Sequence, residues 1–246
     1  MGGYVCTVAG GNGGVGKTTT AINLGAAFAE RGRETVIIDA DLAMPNVAEL
    51  LGVDSDASLH DVLSGSTTIS EALTDAGGLA IIPGESSLDA YAEADPNKLP
   101  TVVNTLSRTH DVVVIDTAAG LGAETTVPLE HADGVALVTT PDHVSLTDTG
   151  KTGTLAEMVD SPILGALVVR ATPETPLSGI DEEFDFPVLG GIPDDVGAAG
   201  TEPLVTESGE SPAATAYREL AGELEPVFFG AKTVGETTLV PSEWTG

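Results

Sequence analysis

Two periodicities alternate along the chain. Short runs of consecutive apolar residues predict strands, and stretches in which apolar positions recur every three or four residues predict helices. The strands fall at residues 4–9, 35–38, 79–82, 112–115, 134–139, 163–169 and 187–192. Helical faces are legible between them, as in Ala21, Gly25 and Phe28 after the first strand and Leu99, Val102, Val103 and Leu106 before the fourth. The second of these opens on Asp95-Pro96, an N-cap followed by proline at the first helical position, and Ser211-Pro212 repeats the device. Behind it, Ala213, Ala216, Tyr217, Leu220 and Leu224 predict a last helix that packs back on the sheet. Strand and helix in alternation predict an α/β fold, a parallel sheet of seven to eight strands with helices on both faces. Residues 172–185 read as a loop that allows a short helix at 180–184. Residues 1–226 are expected to form one domain. The tail, 227–246, has no clear period and reads as irregular, with Phe228, Phe229 or Trp244 docking on the body.

The first strand runs into GGNGGVGKTTTA, where Gly11, Gly16, Lys17 and Thr18 satisfy G-x-x-x-x-G-K-[ST] between a strand and a helix. Glycine lets such a loop curl until successive backbone N–H groups point inward, and the helix that follows adds the positive end of its dipole. Residues Gly11, Asn12, Gly13, Gly14, Val15, Gly16, Lys17, Thr18 and Thr19 are therefore the expected cradle of a nucleoside triphosphate. Lys17 is expected on the β- and γ-phosphates, the Thr18 hydroxyl on Mg²⁺, and Thr19 within reach of the α-phosphate. Three carboxylates end neighbouring strands. Asp116 closes DVVVID and is expected on the Mg²⁺ side; Asp39 and Asp41 follow TVIID, one to orient water and the other to hold a switch loop or the metal shell.

Composition narrows the setting. Against 38 acidic residues stand only 9 basic ones, a net charge of −29, yet 41% of residues are hydrophobic and the mean hydropathy is +0.18. An apolar interior under a strongly acidic surface is expected of a protein kept soluble in high salt, so a halophile cytoplasm is the expected home. No basic cluster is present to neutralise phosphates, and nucleic acid is not an expected partner. A single cysteine, Cys6, rules out an intramolecular disulfide and a multi-cysteine metal cluster. The four dispersed histidines offer no zinc spacing. The chain enters its first strand at once, with no basic segment or apolar h-region ahead of it, and no run approaches the ~20 apolar residues of a membrane span. A cytoplasmic protein is expected.

Taken in order, GGNGGVGKTTTAINLGAAFAERG, VIIDADLAMPN, VVVIDTAAGL, LVTTPDHVSLTD and VLGGIPDD resemble the MinD/ParA family of deviant-Walker ATPases, MinD-like members above all. The resemblance spans about residues 4–225 and implies a P-loop NTPase fold of the SIMIBI type. It implies ATP with Mg²⁺, Asp41 as the water-orienting carboxylate, Asp39 as its switch neighbour, Asp116 as the Walker B aspartate, and backbone near Pro193 and Asp194 at the edge of the base. It further implies an ATP-dependent homodimer read by a protein partner, with switch loops at 41–47 and 117–122. Three departures qualify this. Asn12 stands where the family carries its signature lysine, Val169 where an asparagine meets the adenine edge, and the tail carries Lys232 alone in place of a basic amphipathic helix. The last argues against direct membrane anchoring. The second leaves ATP versus GTP open. Asn12 leaves two functions open: a slowly hydrolysing switch for spatial regulation of division, shape or polarity, and a non-hydrolysing nucleotide-binding scaffold. A metabolic enzyme or metallocluster carrier on the same fold is disfavoured, the carrier because Cys6 is alone.

Overall fold

The computed structural model describes residues 2–195, 202–208 and 211–230. Eight strands form one sheet: β1 (Tyr4–Ala9), β2 (Thr35–Ala40), β3 (Thr74–Asp75), β4 (Ala80–Ile82), β5 (Val112–Thr117), β6 (Gly134–Thr139), β7 (Ile163–Ala171) and β8 (Val188–Pro193). Their order across the sheet is β3-β4-β2-β5-β1-β6-β7-β8, parallel throughout except that β3 runs antiparallel to β4 at the edge. The helices are α1 (Lys17–Glu30), α2 (Val47–Leu51), α3 (Leu59–Ser64), α4 (Ile69–Ala72), α5 (Leu88–Glu93), α6 (Leu99–Leu106), α7 (Ala123–Glu130), α8 (His143–Met158), α9 (Leu177–Asp181), α10 (Leu204–Glu207) and α11 (Pro212–Phe228).

The central strands are buried on both faces, so side chains that alternate along a strand enter two different cores. Cys6, Val8, Ile37, Val112 and Val114 meet Ile22, Phe28, Tyr217 and Leu220 of α1 and α11 on one face. Val5, Val36, Ile38, Val113 and Ile115 meet Leu59, Leu63, Leu99 and Val103 on the other. Helix α1 lies close on β2 because residue 25 is glycine; a Cβ there would come within 2.9 Å of Ile37.

The last helix packs on the sheet as its spacing predicts, its first turn capped by the Ser211 hydroxyl accepting from Ala214 N–H. It does not stop at Pro226, as the sequence reading has it, but runs to Phe228. One missing N–H is outweighed by aromatic packing: Phe228 stacks on Tyr4 with ring centroids 3.9 Å apart and on Phe28 at 4.9 Å. The docking expected of Phe228 is thus met, Phe229 lies under the Arg33 guanidinium, and Trp244 and the tail from 231 fall outside the described residues.

Other boundaries shift for local reasons. Asp95-Pro96 opens a 3₁₀ turn, Pro96–Lys98, that leads into α6, and the short helix expected at 180–184 lies earlier, in α9. The two-residue β3 was not anticipated, since so short an edge strand has no period to read. Among the described residues no helix is long and apolar enough to cross a membrane.

Candidate functional site

The loop between β1 and α1 adopts the curl its glycines permit. Gly14 and Gly16 take left-handed backbone angles, φ 74 and φ 93, and Gly16 caps α1 without any side-chain hydrogen bond. The first N–H groups of α1 are therefore not claimed by a capping side chain, the arrangement that receives an anion. Gly11 is fixed by contact instead: a Cβ would lie 2.4 Å from the Asp148 carbonyl carbon of α8. Lys17 is buried, 7% exposed, and its ammonium donates to the Asn12 carbonyl at 3.1 Å. Burial pushes it down from the ordinary lysine range, while the Asp116 and Asp41 carboxylates pull it back up. Lys151 donates to Asp148 at 2.7 Å and does most to keep that carboxylate below its usual range, with the nearby Asn12 side chain adding a smaller share.

Asp39 and Asp116 stand opposite one another in the β2–β5 register. Both lie inside their strands, since β2 runs on to Ala40 and β5 to Thr117, and not at the strand ends where the apolar pattern places them. Parallel pairing carries the ladder past the last apolar residue. Both are fully buried. Asp39 Oδ2 accepts from the backbone N–H of Asn46 and Val47, each at 3.0 Å, and so pins the start of α2. Its Oδ1 and both oxygens of Asp116 have no directed hydrogen bond. Burial, then the facing Asp39, hold Asp116 well above the ordinary carboxylate range, with the Thr18 hydroxyl and Lys17 opposing. Asp39 is raised too, chiefly by burial. Asp41, one residue beyond β2, accepts from the Met44 N–H at 3.0 Å and closes the turn of the 41–47 loop.

Two adjoining cavities lie over this framework. A groove of 820 Å³ is lined by Gly13, Lys17, Thr18, Asp41 and Ala118, among others, and so brings the phosphate loop and both expected switch segments to one place. A smaller pocket of 280 Å³ is walled by Val15, Val169, Ile192, Pro193, Asp194 and Tyr217. Gly16, Thr19, Leu50 and Arg170 line both. Most of the expected site residues thus converge, with Pro193 and Asp194 in the smaller pocket, while Gly11, Asn12 and the fully buried Asp39 and Asp116 line neither cavity. Sequence reasoning missed Arg170, Asn46, Glu124, Tyr217 and Glu202. Only Arg170 carried a signal, as the sole base at the end of an apolar strand; the Asn46 role comes from a backbone turn with no pattern of its own.

The residues present fit a nucleotide with a divalent cation. Asp116 is a buried carboxylate lacking partners beside the Thr18 hydroxyl, and among the described residues no group of three or more His, Cys, Asp or Glu could hold a metal unaided. A buried carboxylate beside a hydroxyl suits an ion that takes most ligands from phosphate and water, as Mg²⁺ does.

Comparison with known proteins agrees. Residues 6–202 match the CobQ/CobB/MinD/ParA nucleotide binding domain. The chain is 35% identical over 227 residues to an uncharacterized ATP-binding protein of Methanocaldococcus jannaschii, covering 88% of this chain and 86% of that one. It is 31% identical to the septum site-determining protein MinD of Synechocystis, over 90% of this chain and 89% of that protein. Among solved structures, MinD of Pyrococcus horikoshii complexed with Mg-ADP superposes with a TM-score of 0.87 at 32% identity, covering 94% of this chain and 99% of that one.

Proposed function

The chain belongs to the CobQ/CobB/MinD/ParA nucleotide-binding family, and from that premise we propose that it is a MinD-like switch. It binds Mg²⁺–ATP on the loop of residues 11–18, hydrolyses it slowly, and offers a protein partner a surface that depends on the nucleotide. The observation that carries the reading is the Asp116 carboxylate, fully buried with no directed hydrogen bond and close to Thr18 and Lys17 of the phosphate loop. A fold retains so unfavourable a group where a ligand satisfies it.

In this reading Lys17 would leave the Asn12 carbonyl for the terminal phosphates, and Thr18 with Asp116 would hold Mg²⁺, which neutralises developing phosphate charge when bound. Thr19 lies toward the α-phosphate. Of the two remaining carboxylates, Asp39 is committed to the backbone of Asn46 and Val47 and acts as the anchor of the 41–47 loop. Asp41, half-buried in the groove wall, is the one available to orient water. Pro193 and Asp194 border the base, and the wall made by Val15, Val169 and Ile192 gives it apolar contact. Because Met44 and Leu121 are exposed in the two switch segments, nucleotide state reaches the surface there, where a second copy of the chain or another protein would read it.

A second reading, a scaffold that holds nucleotide without turning it over, is favoured by Asn12. It is neutral, and its side chain lies beside Asp148 of the same chain. Solution mass by light scattering, in molar KCl with Mg²⁺ and with no nucleotide, ADP or a slowly hydrolysed ATP analogue, separates the two when run beside a phosphate-release assay. A dimer seen only with the triphosphate, and turnover lost in Asp41→Ala, support the switch. Nucleotide binding with a constant monomer mass and no turnover selects the scaffold. Absence of binding, with Lys17→Ala indistinguishable from wild type, rejects both.

A further inference from the structure

Arg170 stands at the seam between the two cavities and lines each of them. Its backbone is left-handed, with φ 54, a conformation uncommon outside glycine and often retained where function requires it. The β7–β8 register slips between Val169 and Ala171, and this bulge turns residue 170 out of the strand's alternation. The side chain is thereby aimed at the phosphate loop, where its Nη2 donates to the Gly14 carbonyl at 2.8 Å. One nitrogen is so used. A guanidinium has five N–H donors in a planar fork, and no carboxylate forms an ion pair with this one among the described residues.

Charge makes this placement consequential. The two cavities are lined by the carboxylates Asp41, Glu49, Glu124, Asp194, Asp195 and Glu202, against the cations Lys17 and Arg170. Lys17 lines only the groove, so Arg170 is the cation of the smaller pocket. Apart from Lys17 and the N–H groups of the phosphate loop, an anionic ligand entering a protein of net charge −29 meets only carboxylates among the charged groups along that path. A nucleotide with its base in the smaller pocket and its outer phosphates on the loop must pass its sugar and first phosphate through the seam.

We propose that Arg170 is a nucleotide-binding residue that holds the phosphate adjoining the sugar with the donors not committed to Gly14. The proposal rests on the nucleotide reading above and adds to it a specific ion contact. It also gives the site a positive charge that does not depend on residue 12.

The test is displacement of a fluorescent ADP analogue by adenosine, AMP, ADP and ATP, for wild type, Arg170→Gly and Arg170→Lys. Glycine suits the left-handed backbone, so the first variant keeps the fold, which a thermal melt verifies. On the wild type AMP should displace better than adenosine. In Arg170→Gly that advantage should vanish and ADP and ATP weaken by the same factor, roughly ten- to a hundredfold, the range of a charge-assisted hydrogen bond. Arg170→Lys should recover part of it. If AMP displaces no better than adenosine on the wild type, or if Arg170→Gly weakens ADP and ATP but leaves AMP unchanged, Arg170 merely props the loop and the inference falls. Unchanged affinities for all ligands overturn it as well. A wild type that binds no nucleotide defeats the nucleotide reading itself, a separable result.

Discussion

Replacing Asp116 with asparagine should make the nucleotide-free protein more stable while removing its response to Mg²⁺–ADP. The carboxylate sits at zero exposure on β5, faces Asp39 across the β2–β5 pair, and has no directed hydrogen bond. Burial, then the Asp39 charge, raises Asp116 well above its ordinary value, and burial moves Asp39 from 3.8 to about 7. A carboxyl raised in the folded state keeps a proton that the unfolded chain has already released. Stability is therefore highest below the unfolded value, near pH 4, and falls as pH rises toward the folded one, by about 1.4 kcal/mol per pH unit for each group. For Asp39, carried from 3.8 to about 7, this removes roughly 4 kcal/mol at neutral pH and above. Asparagine has nearly the same volume and no charge, and it also relieves the facing Asp39. A gain of about 2–4 kcal/mol at pH 8 is expected, or roughly 5–15 °C in Tm for a domain of this size, shrinking toward zero at pH 4. Thermal unfolding at pH 4, 6 and 8 in molar KCl, with and without Mg²⁺–ADP, measures it. Wild type should gain stability from the ligand and the variant should not. An Asp116→Asn protein less stable than wild type at pH 8, or a gain as large at pH 4 as at pH 8, would refute the argument.

Three further outcomes follow from the same geometry. Phe228→Ala removes a ring stacked on both Tyr4 and Phe28 and should lower stability by about 3–5 kcal/mol in denaturant titration, with nucleotide affinity little changed once folded. Gly11→Ala places a methyl 2.4 Å from Asp148 backbone, so the loop or α8 must move. Calorimetry should show ADP binding weakened at least tenfold and a stability loss of about 1–3 kcal/mol. Asn12→Lys puts a cation beside Asp148 and should increase ATP turnover by at least tenfold if lost charge limits hydrolysis; an unchanged rate shows that residue 12 is not the limiting element.

Much of the fold was open to reading because its rules are local. Parallel strands buried on both faces appear as uninterrupted apolar runs such as Val112 to Ile115, and Ser211-Pro212 announces a helix by capping chemistry that depends on neighbours alone. The phosphate loop was legible for the same reason, since glycine angles and a lysine at the start of a helix are properties of one short segment. Boundaries failed where distant residues decide. Helix α11 passes Pro226 because Phe228 finds Tyr4 and Phe28, which lie more than a hundred residues away in sequence.

The site divides along the same line. Sequence alone determined which segments supply Lys17, Thr18, Asp39, Asp41 and Asp116, and that two strands would carry the acids. Only the tertiary structure decided what each of them faces. Register between β2 and β5 sets Asp39 against Asp116, and the backbone of Asn46 and Val47 claims one of them and leaves the other without a partner. A bulge in β7 turns Arg170 onto the loop, a direction no pattern of residue types encodes. Residue type fixes what a group can do; the cost of burying its charge depends on what the fold sets beside it.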